Sequence, residues 1–206
     1  GKNFRNTKND VDVTIMHIVK FVKNAMKGVP NNIELLFIRE KDYLKITEAG
    51  KMLVDARHLF LSKQIYKKCA GYARSQMEKM KKQSFHTDKV SMTEELEKSN
   101  SDDYTLDYQN ERCYDTKLFM HTIRLLTSAI EILETGDYST YRPNRQELLD
   151  CRNGKYSFSE ALQLINMYDQ QLKIAYEKSN LPLHPDQQLI NQLLLNIHQS
   201  VFSTYT

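Results

Sequence analysis

Apolar and polar positions alternate over residues 10–15, where Val11, Val13 and Ile15 are separated by Asp10, Asp12 and Thr14. A period of two is the pattern of a β-strand, and it puts Asp10 and Asp12 on one face. From Ile15 the period lengthens. Ile15, Ile18, Val19, Val22 and Met26 follow helical spacing, and Gly28 with Pro30 closes that helix. Beyond it the chain reads as one helix after another. Asn31 or Asn32 can cap a short helix through Glu34, Leu35 and Leu36. Thr47 opens a helix to about His58. Ser62 opens the next, to about Lys82, with Ile65, Cys69, Tyr72, Ala73, Gln76 and Met80 along one side.

The pattern fades between residues 84 and 112. Eight acidic residues face three basic ones there, and Ser, Thr, Asn and Asp dominate, which predicts a mobile acidic loop with a turn of helix from Met92 to Leu96. Periodicity resumes after Tyr114. Asp115 caps a long helix carrying Leu118, Thr122, Leu126, Ala129 and Leu133 on one face, and Gly136 ends it. Asn144 with Glu147, and Ser157 with Glu160, have the spacing of capping boxes for helices ending near Asn153 and Ser179. A break at Leu181–Pro185 precedes a last helix, whose predicted buried face is Leu189, Ile190, Leu193, Leu194, Ile197 and Val201.

Composition supports this helical reading. Six Gly and four Pro among 206 residues are about half the usual share, too few for the turns of a many-stranded barrel or sandwich. The expected class is α+β but predominantly α-helical: a sheet remnant at the amino end, then a helical domain. No apolar run is long enough to span a bilayer. Three widely spaced cysteines, Cys69, Cys113 and Cys151, suggest reduced thiols and a cytoplasmic protein rather than a disulfide frame. The six histidines have no paired ligand spacing, which argues against zinc.

Charge is unevenly distributed. Residues 1–83 hold 18 Lys and Arg against 8 Asp and Glu, whereas residues 84–206 hold 11 against 18. A basic half suits a polyanionic partner, and it equally suits mutual attraction between the two halves. Within it, Lys63, Lys67, Lys68, Arg74, Lys79, Lys81 and Lys82 share one helix with a single acid, Glu78. Further on, Lys117, His121 and Arg124 are spaced i, i+4, i+7 and form a stripe off the apolar face. Such a stripe suits a triphosphate, or simply a solvated exterior. Asp10 and Asp12 could bridge divalent cations in phosphoryl transfer, since hard cations take clustered carboxylates, or could be two solvated acids on a strand. No Gly-rich phosphate loop and no nucleophile–base pair is legible.

Four stretches resemble the predicted nucleotidyltransferases of the DNA polymerase β superfamily, in the branch found in bacteria and large phages. They are Thr14–Phe21 running on to Asn31–Phe37; Phe60–Lys63 with Gly71–Gln76; Tyr114–Lys117 with His121–Leu126; and Arg142–Arg145 with Glu147–Leu149 and Arg152–Gly154. Together they cover roughly residues 10–155.

The resemblance implies a catalytic sheet with three metal-binding carboxylates, two from an early D-x-D after a Gly-Ser pair and one from a later strand. Asp12 matches the third position, with Asp10 the weaker candidate. It implies Mg²⁺ or Mn²⁺ as cofactor and an NTP as substrate, with Lys63, Arg74, Lys117, His121 and Arg124 at one phosphate or acceptor site. Residues 1–9 contain no Gly-Ser pair and no first D-x-D, Cys113 stands where the family has Gly, and the chain starts at Gly1. The chain is therefore expected to be incomplete and inactive alone. Residues 1–60 would be the carboxyl-side part of the catalytic domain and residues 61–206 the helical domain. The expected activity is transfer of a nucleoside monophosphate to an RNA, protein or small-molecule acceptor, away from membranes. The alternative is a non-catalytic helical module binding nucleic acid or a partner protein through the basic 63–82 helix.

Overall fold

The computed structural model describes Val11, residues 13–98 and residues 114–203, with side chains outside 83–98. Eight α-helices occur among them: α1 (Ile18–Met26), α2 (Pro30–Leu36), α3 (Glu48–Asp55), α4 (Gln64–Lys98), α5 (Thr116–Thr135), α6 (Arg145–Arg152), α7 (Phe158–Lys178) and α8 (Gln187–Ser203). Two 3-10 turns, Glu40–Asp42 and Arg57–Phe60, flank α3.

The predominantly helical expectation holds, but the sheet remnant does not. No strand occurs among the described residues, and Val13 and Ile15 lie in irregular backbone with most of their surface exposed. Alternation says where side chains would point; a strand also needs a neighbour for its ladder, and no described segment supplies one. Helix α1 accordingly starts at Ile18, three residues later than its apolar spacing predicts. There the His17 ring nitrogen Nδ1 accepts from the Val19 amide at 3.2 Å and caps it.

Several boundaries follow the expected chemistry. Thr47 Oγ1 accepts from the Gly50 amide, Asp115 accepts from the Lys117 and Leu118 amides, and Ser157 with Glu160 forms both bonds of a capping box. Gly136 adopts φ +69° where α5 ends. Others differ. Pro30 opens α2 at its first position, leaving Asn32 buried rather than capping. At α6 the Asn144 amide group donates to Glu147 at 2.9 Å instead of capping backbone, because Glu147 also accepts from the Tyr168 hydroxyl and is drawn toward α7. Helix α4 continues to Lys98, past Lys82, since no Gly or Pro interrupts the chain between Gly71 and Gly136. The predicted acidic loop therefore begins as helix, and residues 99–113 lie outside the described residues.

Helix α5 is the centre of the packing. Phe119, Ile123, Leu126, Ala129, Ile132 and Leu133 are all buried, which is more than one face of a helix. Helices α4, α6 and α7 pack around it, and α8 packs on α3. Ile65 lies with Ala129 and Ile132, while Tyr72 meets His121, so α4 and α5 run antiparallel. Gly28 has φ +68°, and a Cβ there would stand 3.0 Å from the Ile65 backbone nitrogen, so the α1–α2 turn sits directly on the start of α4. The Lys63 amide donates to the Pro182 carbonyl at 2.8 Å, tying that same start to the α7–α8 connection. On α8, Ile190 and Ile197 are buried, but Leu189 and Val201 are exposed; the predicted face is two residues too wide. One buried cluster joins helices on both sides of residue 60. No described helix is long and apolar enough to cross a membrane.

Candidate functional site

The conformation of α5 puts Lys117, His121 and Arg124 on the side that meets α2 and the flank of α4. Arg124 forms a 2.5 Å ion pair with Glu34 of α2, and these side chains retain only 26% and 21% of their exposure. The other Arg124 terminal nitrogen lies 3.1 Å from His121 Nδ1. A guanidinium can only donate, so Nδ1 is the acceptor and the neutral ring carries its proton on Nε2. Burial lowers the His121 pKa most, the charge of Arg124 lowers it further, Glu34 opposes them, and Lys117 adds a smaller lowering. His121 is therefore a neutral N–H donor at pH 7. Tyr72 packs edge-on against it at 5.2 Å between ring centroids. Lys117 is exposed and makes no ion pair among the described residues.

The two α4 candidates fall elsewhere. Tyr72 and Arg74 are two residues apart, hence about 200° around the helix, and cannot serve the same flank. Arg74 lies on the α7 side, where its charge opposes that of Lys173. Lys63 also turns toward α7, with its ammonium 5.1 Å from the Tyr176 ring centroid. The structure thus joins Lys117, His121 and Arg124 and separates them from Lys63 and Arg74. Asp10 and Asp12 lie outside the described residues, among which no group of three or more His, Cys, Asp or Glu is placed to hold a metal ion.

The remaining residues of the four stretches build the frame. The Tyr114 hydroxyl donates to the Tyr156 carbonyl at 2.6 Å, and Arg152 donates to Thr116 Oγ1 at 3.0 Å, so the third and fourth stretches meet at the start of α5. Arg142 pairs with Glu131 of α5 and stacks 5.4 Å from the Tyr138 centroid. Cys69 and Cys151 carry free, buried thiols. Burial pushes the Cys69 pKa up to about 12, with Glu34 adding to the shift.

Glu34, Tyr72 and Tyr138 were not candidates in the sequence, nor was the cleft beside them. This cleft, of about 500 Å³, opens between the end of α2, α3 and the α5–α6 connection. Arg39, Tyr43 and Arg57 line it with Phe37 and Tyr138. Tyr138 links cleft and stripe: Ser128 Oγ contacts its hydroxyl at 3.5 Å and donates to the Arg124 carbonyl at 2.7 Å. The only sequence signal was a dense run of aromatic and charged residues from Phe37 to Tyr43.

A helical bundle carrying a Lys-His-Arg stripe, with His121 and Arg124 half-buried and Lys117 exposed, beside an aromatic and cationic cleft is the class of protein that this geometry defines. The chain belongs to the family described as RlaP, RNA repair pathway DNA polymerase beta family, which it matches over residues 4–196. No curated protein and no solved structure matches it.

Proposed function

We propose that this protein is a nucleotidyltransferase that moves a nucleoside monophosphate from an NTP to an acceptor, with an RNA end as the acceptor class that the family's description favours. Membership of a DNA polymerase beta family over residues 4–196 carries the reading. The stripe supports it. Lys117 supplies a positive charge with no ion pair among the described residues, neutral His121 supplies an N–H donor, and Arg124 supplies a planar donor held by Glu34. These are the groups that bind and orient a triphosphate tail. Asp12, with Asp10 as the weaker candidate, would hold Mg²⁺ or Mn²⁺. The ion would offset charge on the phosphates. Lys63 and Arg74, on the α7 side, are assigned to a longer polyanion rather than to the NTP.

Mg·ATP binding tests the stripe. Lys117→Ala should weaken it about tenfold, the usual consequence of losing one charge-assisted hydrogen bond, while Lys63→Ala should leave it unchanged. Asp12→Asn should abolish transfer while folding stays intact. Wild-type activity in that variant removes Asp12 from the proposal. Unchanged ATP affinity in Lys117→Ala and Arg124→Ala removes the stripe. If α4 lysines instead dominate binding to long nucleic acid, with a steep salt dependence, the non-catalytic module is the correct reading.

A further inference from the structure

We infer that the exposed face of α4 between Lys67 and Lys82 carries the phosphate backbone of the acceptor RNA, seated over a notch at Gly71 and apart from the triphosphate stripe. That this RNA is the acceptor rests on the nucleotidyltransferase reading; the surface rests on its own cations. At about 100° per residue, Arg74 and Lys67 begin, and Lys68 and Lys79 end, an arc of about 140° around the helix, with Lys82 inside it. All five side chains are exposed, and none makes an ion pair among the described residues. The arc contains one acid, Glu78, which Lys81 holds at 3.3 Å.

Gly71 lies near the middle of that arc. Its neighbours on the helix surface, at i±3 and i±4, are Lys67, Lys68, Arg74 and Ser75. Glycine is the poorest helix former after proline, so one inside a long helix calls for a reason. The packing supplies none. Gly71 is not among the glycines with positive φ, and a Cβ there would meet nothing within 4 Å. The missing side chain leaves a shallow notch rimmed by three cations and a hydroxyl. A phosphate can approach the helix closely there, as glycine permits at ligand contacts, and accept from several rim donors at once.

Both edges of the arc add to this. On the α7 side the charge of Arg74 opposes that of Lys173, and Asp169, the acid there, already pairs with Lys173 at 2.8 Å. A bound phosphate offsets that repulsion. At the other edge, Lys68 lies about 40° around the helix from Tyr72, which packs against His121. The basic face thus runs from α7 round to the edge of the stripe. It puts a bound RNA beside a bound triphosphate, the arrangement that transfer between two substrates requires. Charge complementarity selects the occupant: a nucleic-acid strand repeats a negative charge at every nucleotide, which suits cations spread over about 22 Å of helix. The family's description, which names an RNA repair pathway, selects RNA.

Fluorescence anisotropy with a 5′-labelled oligouridylate tests the inference, alongside an oligoadenylate of the same length and Mg·ATP. With five cations on phosphates, the logarithm of the association constant should fall against the logarithm of salt with a slope of about −3.5. Lys67→Gln combined with Arg74→Gln should weaken RNA about thirtyfold and bring the slope to about −2. The same pair should change Mg·ATP affinity by less than about twofold, since the stripe lies on the other flank. Gly71→Leu should fill the notch and weaken RNA about fivefold while raising the thermal midpoint, because leucine is the better helix former and its Cβ meets nothing. The two oligonucleotides should bind within about threefold of each other, since backbone contacts carry no base information. The inference is overturned if the double variant or Gly71→Leu binds RNA as wild type does. It is also overturned if polyglutamate of similar length displaces the label as readily as unlabelled oligouridylate, which would make this a face for acidic protein. Mg·ATP binding without RNA binding by wild-type protein ends this inference and leaves the transferase reading intact. RNA held by α4 with no Mg·ATP binding keeps the surface and ends the transferase reading.

Discussion

Glu34 and a bound triphosphate compete for the same guanidinium, so removing the Glu34 charge should move stability and ligand affinity in opposite directions. Glu34 and Arg124 stand 2.5 Å apart and keep about a quarter of their side-chain exposure, between the surface and buried limits for ion pairs. Fully exposed pairs contribute 0.2 to about 1 kcal/mol, whereas breaking a buried pair costs about 3–5 kcal/mol. Glu34→Gln should therefore destabilise the protein by about 1–2 kcal/mol, since glutamine keeps the shape and one acceptor but not the charge. The same change releases Arg124 and should raise Mg·ATP affinity about threefold or more. Arg124→Ala should destabilise comparably but lower ATP affinity about tenfold, because His121 also loses the donor on Nδ1. Urea unfolding of wild type, both single variants and the double variant gives the coupling, expected at about 1 kcal/mol. Isothermal titration gives the affinities. A coupling within about 0.3 kcal/mol of zero would show that the ion pair contributes nothing to stability. Weaker ATP binding in Glu34→Gln would refute the competition: Glu34 would then be holding Arg124 in its binding position.

Two further outcomes follow from the same geometry. His121 should titrate below the ordinary imidazole value of about 6.5, and Arg124→Ala should raise its pKa, both read from ring proton shifts by NMR. In the unfolded chain this ring takes up a proton more readily than in the fold, so its contribution to stability is present above pH 6.5 or so and lost as pH falls toward the folded pKa; His121→Gln should flatten that part of the stability profile. Gly28→Ala should cost clearly more than Gly136→Ala in urea unfolding. Both residues have positive φ, worth about 1–2 kcal/mol against alanine, but only at Gly28 would the new Cβ meet the backbone of α4, whereas at Gly136 it meets the flexible end of Leu181 at 3.8 Å. Equal costs would mean that the α1–α2 turn is not seated on α4 as described.

What local sequence dictates was legible here because its causes are local. Thr47, Asp115 and Ser157 cap the helices they precede because a side-chain oxygen reaches an amide two or three residues on. The i, i+4, i+7 spacing of Lys117, His121 and Arg124 dictates a shared face wherever the helix goes. The four stretches carried the family, which needs only the order of residues along the chain. Local signals failed where a partner decides. The alternation at Val11–Ile15 specified strand-like side-chain directions, but a ladder needs another strand, and the described segment is exposed coil. Asn144 and Glu147 had capping-box spacing, but Tyr168, 21 residues further on, takes Glu147 away from it. Lys63 and Arg74 belong to the same stretch of sequence as Tyr72, yet the packing of α4 between α5 and α7 sends them to the other flank. The cleft is the clearest case. Its walls come from Phe37–Tyr43, Lys51–Arg57 and Tyr138, separated by up to a hundred residues, and only the docking of α2 and α3 beside the end of α5 makes them one surface. Side-chain spacing within a helix is a property of the backbone and can be read in one dimension; which helices touch is settled by burial of their apolar faces in three.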